Sequence, residues 1–221
     1  MPQTLNHPAA LHVPQARPAS RLLSAAGIAA GPLFLTAGLA QGLTRDGFDF
    51  TRNALSQLSL GTLGWIQITV FLLTGLLVIL GAIAIHQALR DEPGSTWAPR
   101  LLSAFGASFL LAGIFPADPG AGFPAGTPED RVTSLSAHGT VHMLAGTVGY
   151  LALCTAFLVL ARHFATLRQR GWALTTRLMP VGVLAGFAAA TATVAAFTAG
   201  AALGLLGLSA VTARLTLAAR Q

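Results

Sequence analysis

Long, uninterrupted apolar runs are the main pattern along this chain of 221 residues. About 20 apolar residues in a helix cross the hydrocarbon core of a bilayer. By that measure the runs at 22–43, 64–89, 101–115 and 136–161 each predict a membrane-spanning helix. The first run is too long for the apolar part of a secretory signal and no small-residue cleavage site follows it, so we interpret it as an uncleaved span.

The stretch 178–217 allows two interpretations. It is either one long span with an interfacial tail, or two spans joined by a tight turn between about 191 and 200. At a rise of about 1.5 Å per residue it is just long enough for two crossings. We favour two, which predicts an all-α bundle of six spans over residues 21–221, with five spans as the alternative. Residues 1–20 carry four prolines and no apolar period, which is typical of a flexible tail.

Composition excludes an ordinary soluble protein. The chain is 53% hydrophobic and 9% charged, whereas soluble domains carry roughly 25% charged residues. All 13 basic residues are arginine and the formal net charge is +6. These arginines are dispersed at the ends of apolar runs, so they predict membrane orientation and do not indicate a nucleic-acid partner.

The arginine distribution predicts a cytoplasmic N-terminus. With that orientation and six spans, the cytoplasmic segments hold Arg17, Arg21, Arg90, Arg100, Arg162, Arg168, Arg170, Arg177, Arg214 and Arg220. The outer segments hold only Arg45, Arg52 and Arg131. Cytoplasmic loops of membrane proteins carry an excess of basic residues. The sequence therefore predicts a multi-pass protein of the cell membrane.

The first outer loop, residues 45–61, is amphiphilic, so we expect it to lie on the mouth of the bundle. In it Asp49 and Arg52 could pair, and Asn53 and Ser56 could cap a short helix. The second outer loop holds Asp118 between two prolines, which fix the local backbone. The seven residues predicted to line an outer-facing polar pocket are Asp49, Arg52, Asn53, Ser56, Asp118, His138 and His142.

Two histidines one helical turn apart, His138 and His142, are the strongest indication of function. Imidazole at membrane depth is costly and usually functional. The pair allows three interpretations: a ligand- or proton-binding cluster, hydrogen bonding within the bundle, or a zinc site completed by Asp118 with an open position for water. No H-E-x-x-H motif is present. Haem is not favoured, because both outer histidines come from one helix whereas haem needs ligands from facing helices.

Four segments resemble the DUF 998 (domain of unknown function) family of prokaryotic integral membrane proteins. They are SQLSLG (56–61), GWIQ (64–67), FPADP (115–119) and HGTVH (138–142). The resemblance covers about residues 20–220 and implies an integral membrane protein with six helices, without an established activity. A looser similarity links Ser56, Asp118, His138 and His142 to a membrane hydrolase superfamily that includes alkaline ceramidases. Those enzymes place a Ser, an Asp and three His around zinc, and here only two histidines lie on the outer side.

Three functional hypotheses follow. The first is a pocket that binds a lipid headgroup, a small solute or a proton, and the second is a zinc-dependent lipid hydrolase. The third is a scaffold or partner subunit, which includes a homo-oligomer, since Gly27 and Gly31 form a G-x-x-x-G motif. Such a motif serves either a dimer face or packing inside the bundle.

Overall fold

The chain folds into a helical bundle. The computed structural model describes residues 18–130 and 134–218, and within these ranges it has six long helices and no strand. They are α1 (Pro18–Thr44), α2 (Gly64–Ala88), α3 (Trp97–Ile114), α4 (Ala137–Thr166), α5 (Arg170–Ala188) and α6 (Val194–Ala218). All six are long and apolar enough to cross a membrane. The predicted six-span all-α fold of a multi-pass membrane protein is confirmed.

Several boundaries differ from the predicted ones. α1 begins at Pro18, inside the segment predicted as a tail, because proline is well suited to a first helical turn. Residues 1–17 lie outside the described residues. The stretch 178–217 forms parts of two helices, and the turn between them, at 189–193, comes earlier than predicted because α6 already begins at Val194.

The helices are arranged as a closed ring. Each packs against its neighbours in the chain, and α6 closes the ring against α1. The two long connections, 45–63 and 115–136, lie together at what we call the long-loop end. The α5–α6 turn lies there too, since the Val194 amide donates to the Thr51 carbonyl at 2.9 Å. The short connections, 89–96 and 167–169, lie at the short-loop end.

Glycines set the closest helix contacts. A Cβ on Gly27 or on Gly81 would lie 2.6 Å from the other residue's Cα, so α1 and α2 touch backbone to backbone there. Gly31 approaches the Leu205 carbonyl of α6 in the same way. The G-x-x-x-G motif therefore packs inside the bundle. Small residues permit this approach where lipid supplies no hydrophobic drive.

A cluster of aromatic rings forms the centre of the bundle on the side of α1, α2 and α3. Phe34 packs edge-on against Phe71 and Phe109, with ring centroids 5.2 Å apart in both pairs. Phe105 continues the cluster to Phe109 and to Tyr150 of α4, at 5.1 Å in each case. Edge-to-face pairs of this kind add stability beyond the area they bury.

Polar contacts also cross the bundle. Gln41 Nε2 of α1 donates to Gln67 Oε1 of α2 at 2.7 Å, and both side chains are buried. Outward-facing positions are apolar, as a lipid-facing surface requires. Examples at least 46% exposed are Leu76, Val148, Leu151, Leu184 and Leu206.

We expect Gly81→Ala to destabilise the bundle, because its new methyl group would overlap the backbone of α1. Overpacking of this kind costs about 1–3 kcal/mol. The apparent melting temperature in mild detergent measures the effect. Gly171→Ala is the matched control, since a Cβ there meets nothing within 4 Å. Equal melting temperatures for the two variants would contradict the α1–α2 contact.

The predicted orientation can be tested by labelling cysteines, because the native Cys154 is buried. Ala125→Cys places a thiol at the long-loop end and Glu92→Cys places one at the short-loop end. With a cytoplasmic N-terminus, a membrane-impermeant maleimide labels Ala125→Cys on intact cells and Glu92→Cys only after the membrane is opened. The reverse pattern would show that the chain is inverted.

Candidate functional site

His142 joins the end of α3 to the beginning of α4. Its Nδ1 lies 2.9 Å from the carbonyl oxygen of Phe115, the residue that follows the last turn of α3. A carbonyl only accepts, so Nδ1 carries the proton of this hydrogen bond and the neutral ring keeps its lone pair on Nε2. His142 is 7% exposed. It satisfies a carbonyl that the ending helix leaves without an intrahelical donor.

His138 lies one turn closer to the helix start and is exposed. Its ring meets the ring of Phe115 edge-on, with centroids 5.5 Å apart. The two histidines therefore contact the same residue, one through its side chain and the other through its carbonyl. Together they fix the end of α3 against the first turns of α4.

Asp118 stabilises the N-terminus of α4. Its carboxylate accepts hydrogen bonds from the Ser136 amide at 2.9 Å and the Ser136 hydroxyl at 2.6 Å. The same hydroxyl accepts from the Gly139 amide at 3.0 Å. A carboxylate is favoured there by the partial positive charge of the helix start. A Cβ on Gly139 would overlap the carboxylate, so Asp118 can hold this position beside Ser136 only while residue 139 is glycine.

The predicted zinc ligands His138, His142 and Asp118 do not form a ligand set. Among the described residues no group of three or more His, Cys, Asp or Glu side chains is arranged to hold a metal ion. The Asp118 oxygens accept from Ser136, and the Nδ1 of His142 is engaged by Phe115. A catalytic zinc site needs about three converging protein ligands, so this arrangement does not fit one.

Asn53 connects the two long loops instead of capping a helix. Its Oδ1 accepts from the Asp49 amide at 2.9 Å, and its Nδ2 donates to the carbonyls of Gly120 and Ala121 at 3.4 and 3.3 Å. The short 3-10 helix that follows, Leu55–Ser59, is preceded by Ala54. The predicted capping by Asn53 and Ser56 is therefore wrong.

Gln57 supplies that cap. Its Oε1 accepts from the Ala54 amide at 3.1 Å, and its Nε2 donates to the Gly120 carbonyl at 3.2 Å. Arg45 adds a further link, donating to the carbonyls of Leu58 and Leu60 at 2.9 and 2.6 Å. Burial lowers the pKa of Arg45, but arginine remains charged.

Asp49 and Arg52 have separate partners. The Asp49 carboxylate accepts from the hydroxyl and the amide of Thr51 at 2.7 and 2.8 Å. These two bonds are the main reason why the pKa of Asp49 is lowered. The stability they provide is present above the ordinary pKa of an aspartate and is lost as the pH falls through the lowered value. Arg52 pairs with Glu129 of the other long loop at 2.5 Å, so the predicted pairing with Asp49 is replaced by a contact between loops.

A cavity of about 430 Å³ lies inside the ring, near the long-loop end. It is lined mainly by apolar side chains of the helices. Its polar lining residues are Ser56, Ser108, His142, Thr147, Tyr150 and Thr198. Tyr150 and Phe187, whose rings meet edge-on with centroids 4.9 Å apart, also line it. Of the seven predicted pocket residues, Ser56 and His142 line this cavity.

The other predicted residues lie elsewhere. Asp118 and His138 border a shallow surface groove with Leu60 and Ser136. Asp49, Arg52 and Asn53 belong to the contacts between the long loops. The three segments of the prediction do converge at one end of the bundle, but their polar side chains face three different surroundings.

The sequence interpretation missed the cavity residues Gly146, Thr147 and Tyr150. The available signal was helical spacing, because positions four, five and eight residues after His142 lie on or beside its face of α4. A Cβ on Gly146 would meet nothing within 4 Å, so this glycine faces open space.

One comparison with known proteins gives a match. The model of a family described as "Protein of unknown function (DUF998)" matches residues 28–220. The chain therefore belongs to this family. No curated protein matches. No solved structure matches either.

We expect Asp118→Ala to destabilise the protein by about 1 kcal/mol, the usual net contribution of a hydrogen bond. The amide and hydroxyl of Ser136 would lose their acceptor. Thermal unfolding in detergent measures the loss, and Asp130→Ala is the control because Asp130 is an exposed acid of the same loop. If both variants unfold at the wild-type temperature, Asp118 does not stabilise α4.

Proposed function

We propose that this member of the DUF998 family binds an amphiphilic small molecule in the cavity beside His142. The apolar part of the ligand would occupy the space between α4 and α6, and its polar end would contact His142. The observation that carries the proposal is a mainly apolar cavity with a buried imidazole in its wall.

The size and chemistry of the cavity support this function. Its volume of about 430 Å³ lies within the roughly 300–1,000 Å³ typical of small-molecule sites. Such sites combine apolar walls with a few placed polar groups. Here Phe34, Phe109 and Phe197 supply apolar wall, and His142 supplies a ring nitrogen.

Two exposed lining residues indicate where a ligand would enter the cavity. Met143 and Thr147 line the cavity and are exposed on the side of α4. They follow the start of the helix by six and ten residues, which is roughly 9–15 Å at 1.5 Å per residue. An entrance beside these residues, on the side of a membrane bundle, would face lipid, so an amphiphile dissolved in the bilayer could enter without crossing water.

The hydrolase alternative is less well supported. Ser56 and His142 line the cavity, whereas Asp118 and His138 border the separate groove. The arrangement therefore favours binding over metal-dependent hydrolysis.

Photolabelling tests the proposal. Four amphiphiles share a twelve-carbon chain with a diazirine, and end in a hydroxyl, a methyl ether, a carboxylate or a trimethylammonium group. We expect at least one to label cavity residues such as Met143 or Phe197, as mapped by mass spectrometry. Gly146→Leu would fill the cavity and should reduce this labelling roughly tenfold, equivalent to about 1.4 kcal/mol.

Gly171→Leu is the matched control, since it adds the same side chain at a helical glycine that faces open space away from the cavity. It should label as wild type does. Absence of cavity labelling by all four probes, or equal labelling of wild type and Gly146→Leu, would refute binding in this cavity.

A further inference from the structure

The polar groups of the cavity restrict the kind of ligand it can hold, if the proposed function is correct. The described residues that line it include no Asp, Glu, Lys or Arg. A charged headgroup placed there would lose its hydration without gaining a counter-ion. Burying an unpaired charge is far more costly than burying a neutral polar group. The cavity therefore favours an uncharged ligand.

Three of the polar lining groups have already used their protons. Ser108 Oγ donates to the Phe105 carbonyl at 2.7 Å, and Thr147 Oγ1 donates to the Met143 carbonyl at 2.8 Å. His142 donates through Nδ1 to the Phe115 carbonyl at 2.9 Å. A serine or threonine hydroxyl has one proton, and a neutral imidazole has one. What these three groups can still offer is lone pairs.

The remaining polar lining groups do not reverse the preference of the cavity for a ligand that donates a hydrogen bond. The hydroxyls of Ser56, Thr198 and Tyr150 can each donate or accept. A ligand that only accepts hydrogen bonds could use these three, but it would leave the lone pair of His142 Nε2 without a donor. Ser108 and Thr147 would keep their bonds to backbone carbonyls. A ligand with a donor can bond to His142 Nε2 as well as to the hydroxyls. An unmet buried polar group costs more than a neutral hydrogen bond contributes.

We infer that the cavity selects an uncharged amphiphile with a free hydroxyl, a long-chain alcohol, whose O–H donates to a lone pair of His142 Nε2, Thr147 Oγ1 or Ser108 Oγ. An ether of the same length lacks the proton, and a carboxylate or quaternary ammonium carries a charge. This inference rests on the proposed function and adds the chemical class of the ligand.

The four photolabels described above test this chemical class. For each probe, cavity labelling is taken as the labelling of the wild-type protein minus the labelling of Gly146→Leu. This subtraction removes labelling that does not depend on the cavity. The alcohol should label the cavity about two- to tenfold more than the methyl ether, the range that one neutral hydrogen bond supplies. The carboxylate at pH 8 and the ammonium should label less than either.

Each outcome separates the inference from the proposed function. Equal labelling by alcohol and ether overturns the donor requirement while cavity binding stands. Strongest labelling by the carboxylate or the ammonium overturns the requirement for an uncharged ligand. Absence of cavity labelling by all four probes refutes the proposed function itself.

Two variants test the groups named as acceptors. The double variant Ser108→Ala/Thr147→Val removes two hydroxyls, and His142→Phe removes the imidazole and keeps a ring. The alcohol-to-ether ratio should fall toward one in at least one of them. Labelling by the ether, which needs no acceptor, reports whether the cavity has stayed intact.

Thr155→Val is the matched control. Thr155 is exposed on α4 and donates to the carbonyl four residues earlier at 2.8 Å, as Thr147 does, but it does not line the cavity. The alcohol-to-ether labelling ratio of Thr155→Val should equal that of the wild-type protein. An unchanged ratio in both the double variant and His142→Phe would overturn the assignment of these acceptors.

Discussion

The hydrogen bond from His142 to the Phe115 carbonyl is the contact on which the arrangement of the long-loop end depends. In a bilayer there is little water to satisfy the carbonyls that an ending helix leaves free. His142 satisfies one of them from the neighbouring helix at 2.9 Å. The bond joins the end of α3 to α4 and leaves the lone pair of the neutral ring on Nε2. Asp118 holds the same connection at Ser136, the N-cap of α4.

The cavity exists because close helix contacts are unevenly distributed. α1 and α2 touch at Gly27 and Gly81, and α5 and α6 touch at Gly186 and Gly200. Along α4, by contrast, Gly146 faces open space. The helices thus meet tightly around most of the ring and leave a gap beside α4. The 3-10 helix Leu55–Ser59 contributes residues to one side of this gap, and its position depends on the buried amide of Gln57.

The fold could be predicted from sequence because its main constraint is one-dimensional. A span needs about 20 apolar residues, and that requirement is visible in the chain. Helix ends were predicted less well, since Pro18 and Val194 begin helices for reasons of local geometry. The convergence of the two long loops and α4 at one end also followed from topology, because alternate connections of antiparallel spans lie on the same side.

The surroundings of each polar side chain could not be predicted in the same way. Helical spacing placed His138 and His142 on one face, but one is exposed and the other is 7% exposed in a cavity wall. That difference depends on how Phe115 fits between them. The partners of Asn53 and Arg52 come from residues about 70 positions away in the chain. No local pattern specifies such contacts.

A side-chain-resolution density map of the protein with a brominated long-chain alcohol tests ligand binding beside His142 most directly. We expect density for the alkyl chain beside Gly146, with the hydroxyl oxygen within hydrogen-bond distance of His142 Nε2. A map in which side chains fill that space, or in which Nε2 is bonded to another residue of the chain, would contradict it.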